Sequence, residues 1–138
     1  MGVPFDRKKN NLLRGISRME SLEIVLDGRP YSEEEKKAFA EEKNAVYREY
    51  LASLTPEAIT DNVRDTLVAL KKNGIKIAIG SSSKNTKFIL ERVGLLHEFD
   101  AVADGMDIAR CKPDPEVFLL SAKRIGLQPS DCRVVEDA

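Results

Sequence analysis

The chain is expected to fold as an α/β protein, a partial Rossmann-like parallel sheet joined to an α-helical lobe. Two patterns and one boundary predict this. From residue 58 onward short apolar runs alternate with helical stretches, an order that implies right-handed crossovers between parallel strands. Residues 1–57 instead carry helical periodicity and helix-start signals, with no strand-like alternation. Thr55-Pro56 separates the two, since proline fits the first turn of a new helix and breaks the one before it. The expected division is therefore 1–57 and 58–138.

Taken in order, Ser17-x-x-Glu20 and Ser32-x-x-Glu35 are capping boxes, in which each side chain satisfies the other residue's orphan amide at a helix start. A helix should run from the first to Leu26 and stop at Gly28. The second should carry Phe39, Val46, Tyr50 and Leu54 toward one side. Val63, Leu67 and Leu70 then mark an amphipathic helix ended by Gly74. Residues 75–79 read as a short buried strand, 85–93 as a helix and 99–103 as a strand. Residues 115–125, stopped by Gly126, read as a helix, and 133–135 as a last strand.

With 138 residues the chain can form one core or two small lobes. Its 22 Lys and Arg are interspersed with 23 Asp and Glu for a net charge of −1, which excludes an electrostatic grip on nucleic acid or a membrane surface. A small molecule is the expected partner. Cys111 and Cys132 are too few and too separated for a disulfide framework or a zinc site, and they fit a reducing compartment. No apolar run approaches the roughly 20 residues of a membrane span, and no signal-peptide core is present at the start. The cytoplasm is the expected location.

Three short segments carry the chemistry, each placed where the chain leaves an expected strand: residues 80–85 (Gly-Ser-Ser-Ser-Lys-Asn), residues 111–113 (Cys-Lys-Pro) and residues 134–137 (Val-Val-Glu-Asp). In open parallel sheets, ligands bind outside the carboxyl ends of the strands. Ser81, Ser82, Ser83 and the amides that follow offer hydrogen bonds to a phosphate, or, alternatively, simply cap a helix. Lys112, held extended by Pro113, offers a charge to offset a phosphoryl group, or is a solvated surface lysine. Glu136 and Asp137 follow a buried apolar run, where adjacent carboxylates call for a cation or hydrogen bonds unless the strand simply reaches solvent there. In combination the three point to phosphoryl transfer. His97 reads as a surface residue, Asp104 and Asp107 as turn formers.

These residues resemble the haloacid dehalogenase (HAD) superfamily and, within it, the β-phosphoglucomutase family. Residues 80–85 are similar to the superfamily's second motif, Lys112-Pro113 to its third and Glu136-Asp137 to its fourth. Leu13-Arg14-Gly15-Ile16-Ser17-Arg18 with Ser21-Leu22, and Lys43-Asn44 with Tyr47, are similar to the cap-domain segments of that family. The resemblance covers essentially the whole chain and implies a partial HAD core, 58–138, beneath an α-helical cap, 1–57.

By that resemblance Ser81 would hydrogen-bond the transferring phosphoryl, Lys112 would balance its charge, and Glu136 and Asp137 would hold Mg²⁺. Arg18, Ser83, Lys84 and Asn85, with Ser82 in the same loop, would bind the sugar's other phosphate. Arg14 and Gly15 would line the sugar pocket. The implied activity is interconversion of β-glucose 1-phosphate and glucose 6-phosphate through a phosphoaspartate. Asp61 and Asn62 stand where the family would place Pro-Gly. The pattern also departs at its first motif, because no Asp-x-Asp pair lies upstream of the cap-like sequence, and the chain halts just after the metal carboxylates. It reads as an internal piece of a longer protein, expected to be inactive and to bind Mg²⁺ weakly. The unpaired sheet edges left by a missing central strand would favour self-association. A sugar-phosphate phosphatase of the same superfamily and a non-catalytic phosphosugar-binding or interaction protein are the alternatives.

Overall fold

A computed structural model describes residues 3–136. Its first part is helical because the local signals agree. Asp6 caps α1 (Arg7–Asn11), its carboxylate accepting the Lys9 amide at 2.7 Å. Both capping boxes form: Ser17 Oγ accepts from the Glu20 amide at 3.2 Å while the Glu20 carboxylate accepts from the Ser17 amide at 2.8 Å. Ser32 and Glu35 repeat that geometry. They open α2 (Arg18–Leu26) and α3 (Glu33–Ala52).

Helices α2 and α3 pack through buried Leu22, Leu26 and Ala40, with Met19, Tyr31 and Phe39 around them. The expected apolar side of α3 is only partly realised, since Val46 and Tyr50 are each 64% exposed and the buried residues are Ala40 and Leu51. Length explains the difference. At about 1.5 Å per residue, nine-residue α2 covers less than half of twenty-residue α3.

After a 3₁₀ turn at Pro56–Ala58 come α4 (Asp61–Lys72), β1 (Ala78–Gly80), α5 (Thr86–Arg92), β2 (Ala101–Ala103) and α6 (Glu116–Arg124). Strands β1 and β2 pair in parallel with Ile79 opposite Val102. Because side chains alternate along a strand, Ile79 and Val102 point to one face. There they join Leu67 of α4, Leu90 of α5, and Val93, Leu95 and Phe99 in the main core. The other face carries the small residues of the strands, which lets α6 come close. A Cβ on Gly80 would lie 3.1 Å from the Phe118 ring and 3.2 Å from Ser121 Oγ. Helices on both faces of a parallel pair make the expected α/β architecture, in miniature.

Both strands are shorter than the apolar runs suggest. The Ile77 amide donates to the Asp100 carboxylate at 2.8 Å, and the Asp100 amide returns a bond to the Ile77 carbonyl at 2.8 Å. One side-chain bond and one main-chain bond thus join residues 77 and 100, and the regular ladder begins only at residue 78. The expected strand at 133–135 is not formed: among the described residues the sheet has two strands, and Val134 and Val135 are 53% and 91% exposed. An apolar run becomes a strand only where a neighbour takes its amides and carbonyls, and residues 133–135 have no such ladder partner in the described sheet.

Asp104 and Asp107 form a turn, as expected. The Asp104 amide donates to Asp107 Oδ2 and the Met106 amide to Asp104 Oδ1, each at 2.9 Å. Arg124 of α6 donates to both oxygens of Asp107 at 2.8 Å, a bidentate pair that ties the turn to the helix. These bonds hold the Asp107 carboxyl well below the usual carboxylate range. A carboxyl depressed in the folded state stabilises fully above its unfolded value, 3.8, and loses that contribution as pH falls toward the folded value. Arg124→Gln is therefore expected to cost about 1–3 kcal/mol at neutral pH. The gap between the two proteins should narrow as urea melts are taken to pH below 3.8. A gap independent of pH would refute the assignment.

Candidate functional site

The chain leaves β1 at Gly80 and β2 at Ala103, and both exits open on one cavity of about 570 Å³ between the sheet and the helical part. That volume suits a sugar phosphate. The loop after β1 is held by its own hydroxyls: the Ser83 amide donates to Ser81 Oγ at 3.2 Å, and the Asn85 amide to Ser83 Oγ at 3.1 Å. Thr86, buried, places its hydroxyl 2.8 Å from both Ser81 Oγ and the Ser83 carbonyl. Ser82 Oγ is buried and has no hydrogen-bond partner among the described residues. The serine hydroxyls do not cap α5, whose N-cap Asn85 has no side-chain cap bond; they fold the loop before it, because they accept from amides inside the loop rather than from the helix's first turn. Ser83 organises the turn, while a polar atom beside the cavity is left unsatisfied.

The turn after β2 supports the loop from below. Its Gly105 amide donates to the Ser83 carbonyl at 3.1 Å, and the Ser81 amide extends the ladder to the Ala103 carbonyl at 3.0 Å. Lys112, mostly buried, is aimed by two contacts. Its ammonium pairs with the Glu136 carboxylate and lies 5.2 Å from the Phe118 ring centroid, within cation–π range. The Lys112-Pro113 peptide bond is cis.

From the helical side, Gly15 lets the chain turn into α2 with φ of 76°, a left-handed value that favours glycine. Arg14 and Arg18 flank it on the cavity lining. Arg18 donates through Nη2 to Asn44 Oδ1 of α3 at 2.7 Å. The same oxygen accepts from Asn85 Nδ2 at 3.0 Å, across from the sheet side.

The cavity lining gathers Arg14, Gly15, Arg18, Ser81, Ser82, Ser83, Lys84, Asn85, Lys112 and Glu136 from both halves. Asp137 lies outside the described residues. Lys43, Asn44 and Tyr47 of α3, matched in the sequence to a cap segment but given no individual role, also line it, together with Gly105 and Cys111. The spacing of 43, 44 and 47 on one helix face is the signal that would have turned that match into a cavity wall. Gly105 gave none, because its role is a close approach between two loops.

Charge is segregated here. The whole chain is nearly neutral at −1, yet its described cavity lining holds five cationic side chains, Arg14, Arg18, Lys43, Lys84 and Lys112, against the single carboxylate of Glu136. Such a cavity attracts and orients an anion. It is a poorer match for a resident Mg²⁺, which needs oxygen ligands in octahedral array. Among the described residues no group of three or more His, Cys, Asp or Glu converges, and Glu136 already faces an ammonium. Those residues alone do not make a Mg²⁺ site. Among the described residues, no helix is long and apolar enough to cross a membrane.

A family model described as haloacid dehalogenase-like hydrolase matches residues 3–138. A β-phosphoglucomutase of Bacillus subtilis (strain 168) is 39% identical over 140 residues, covering 99% of this chain and 62% of that protein. A fructose-1-phosphate phosphatase of Escherichia coli (strain K12) is 36% identical over 102 residues, 73% of this chain and 53% of that protein. Among solved structures, a β-phosphoglucomutase from Clostridium difficile superposes with a TM-score of 0.89 at 40% identity, over 95% of this chain and 60% of that one. The chain thus spans less than two thirds of the length of these relatives. The helical part above the paired strands corresponds to the cap of that fold, and the chain belongs to the haloacid dehalogenase-like hydrolase family, as a β-phosphoglucomutase-like member.

Proposed function

We propose that the chain carries the phosphosugar-binding cavity of a β-phosphoglucomutase, the enzyme that would interconvert β-glucose 1-phosphate and glucose 6-phosphate through a phosphoaspartate. The observation that supports it is the collection of five cations and the serine loop around one cavity, fed by both halves of the molecule. Lys112 and Ser81 would receive one phosphate, by charge and by hydrogen bond. Arg18, Ser83, Lys84 and Asn85, with Ser82 beside them, would receive the other, an arginine fork matching two phosphate oxygens at once. Arg14 and Gly15 would face the sugar between them. The proposed division into cap and core remains 1–57 and 58–138.

Of the described residues on the lining, none is an aspartate, so binding is expected without mutase turnover. Mg²⁺ would supply charge neutralisation for a phosphoryl group, with Glu136 and Asp137 as its carboxylates. With Glu136 paired to Lys112 the affinity is expected to be weak, and a micromolar Kd by calorimetry would overturn that.

The test is titration calorimetry with β-glucose 1-phosphate, glucose 6-phosphate and glucose. Both phosphates should bind, more weakly as salt rises, and glucose should not. Equal binding of glucose, or heat from none of the three, would sink the proposal. A phosphatase reading is favoured by the Escherichia coli relative, and tighter binding of fructose 1-phosphate than of either glucose phosphate would select it. Cations contributed to the lining by both halves of the molecule favour the mutase, whose substrate passes through a bisphosphate.

A further inference from the structure

Helix α3 meets α5 and the loop before it through two residues one turn apart. Asn44 Oδ1 accepts from Arg18 Nη2 at 2.7 Å and from Asn85 Nδ2 at 3.0 Å. The Arg48 guanidinium lies 4.6 Å from the centroid of the Phe88 ring. Asn44 and Arg48 are four apart on one helix, and Asn85 and Phe88 three apart at the start of the other, so two neighbouring pairs interlock. The two contacts differ in one respect. Asn44 and Asn85 line the cavity, whereas Arg48 and Phe88 do not.

A carbonyl oxygen has two acceptor positions, and Asn44 Oδ1 uses both, one for each half of the molecule. Arg18 is the long, rotamer-rich partner of that bridge, and Asn85, 5% exposed, is the fixed one. Left alone, Arg18 would have to be ordered whenever an anion arrived. Through Asn44 it is already ordered, beside a donor on the opposite wall.

We propose that Asn44 is a positioning residue that couples anion binding to closure of the helical half onto the sheet. Its side-chain oxygen keeps Arg18 in register with Asn85, so a phosphate meets both donors already gathered. The inference rests on the phosphosugar-binding reading above. Coupling of this kind is reciprocal: whatever factor closure adds to anion affinity, the anion adds to closure. The Arg48–Phe88 contact, outside the cavity, holds the helices together whether or not ligand is present.

The test uses glucose 6-phosphate with the full chain and the variants Asn44→Ala, Arg18→Ala and their double. Calorimetry is expected to show Asn44→Ala weakening binding about tenfold, and the double variant binding no worse than Arg18→Ala alone, because Asn44 acts through Arg18. Additive losses, or no loss in Asn44→Ala, would overturn the coupling. Amide hydrogen exchange supplies a readout that simple destabilisation would not give. Ligand should slow exchange around residues 43–48 in the native chain; in Asn44→Ala that slowing should vanish while slowing at 81–85 persists. Persistence at both places counts against the proposal.

If Asn44→Ala does not fold, Asn44→Asp keeps the acceptor but places a negative charge beside the anion and holds Arg18 as an ion pair. It should fold and bind more weakly, and unchanged affinity refutes the idea. A native chain that does not bind glucose 6-phosphate at all removes the phosphosugar reading and this inference together. Native binding with an unaffected Asn44→Ala removes the inference alone.

Discussion

Gly105→Ala is expected to loosen the phosphate loop and weaken binding of glucose 6-phosphate by an order of magnitude or more. A Cβ at this position would sit 2.3 Å from the Ser82 carbonyl oxygen and 3.0 Å from both the Ser82 carbonyl carbon and the Lys84 nitrogen. All three are backbone atoms, so no rotamer change can relieve the clash. The 104–107 turn must then move away from the 81–84 loop. That movement breaks the Gly105 amide bond to the Ser83 carbonyl and strains the Ser81 bond to Ala103. Overpacking of this kind costs about 1–3 kcal/mol. Denaturant melts and calorimetry on one preparation check both effects. Native stability with native affinity would mean that the two loops do not touch as described.

Leu26→Ala is expected to cost about 2–5 kcal/mol, the range for emptying a well-packed leucine site. Leu26 is 1% exposed and belongs to a cluster of three buried residues, Leu22, Leu26 and Ala40, ringed by just three partly buried ones, Met19, Tyr31 and Phe39. So small a cluster has few neighbours able to collapse into the void. Loss of packing between α2 and α3 would also separate Arg18 from Asn44, so phosphosugar affinity should fall with stability. The equivalent truncation Leu90→Ala, in the cluster beside the sheet whose three buried residues have seven partly buried neighbours, should destabilise without first detaching Arg18. Urea melts of the two variants, each followed by titration, separate the effects. Equal loss of affinity at equal residual stability would contradict the picture of the helical half as the carrier of Arg18.

The parts of this fold that could be read from the chain are those governed by neighbours in sequence. Capping boxes at Ser17 and Ser32 join residues three apart and formed as read. Gly74 and Gly126 each follow a helix that ends two residues earlier, as stop signals should. Apolar runs were less reliable. Residues 75–79 and 133–135 both carry strand-like composition, yet the first yields a ladder only from Ala78 and the second none in the described sheet. Composition reports a preference for burial; hydrogen-bonded pairing depends on what lies alongside. Likewise Val46 and Tyr50 have the periodicity of a buried face, but α2 is too short to cover them.

Sequence by itself determined the helix starts, the alternating α/β order and the residue types able to handle phosphate, because caps, turns and periodicity are settled within a few bonds. It also carried the resemblance that the family match and the superposition bear out. Only the tertiary structure decided that Arg18 and Asn85 share the oxygen of Asn44, that Glu136 faces Lys112, and that Gly105 must be a glycine. These are contacts between residues distant in sequence, fixed when α3 and the two strand exits close around one cavity, and no local preference encodes a distance across that gap.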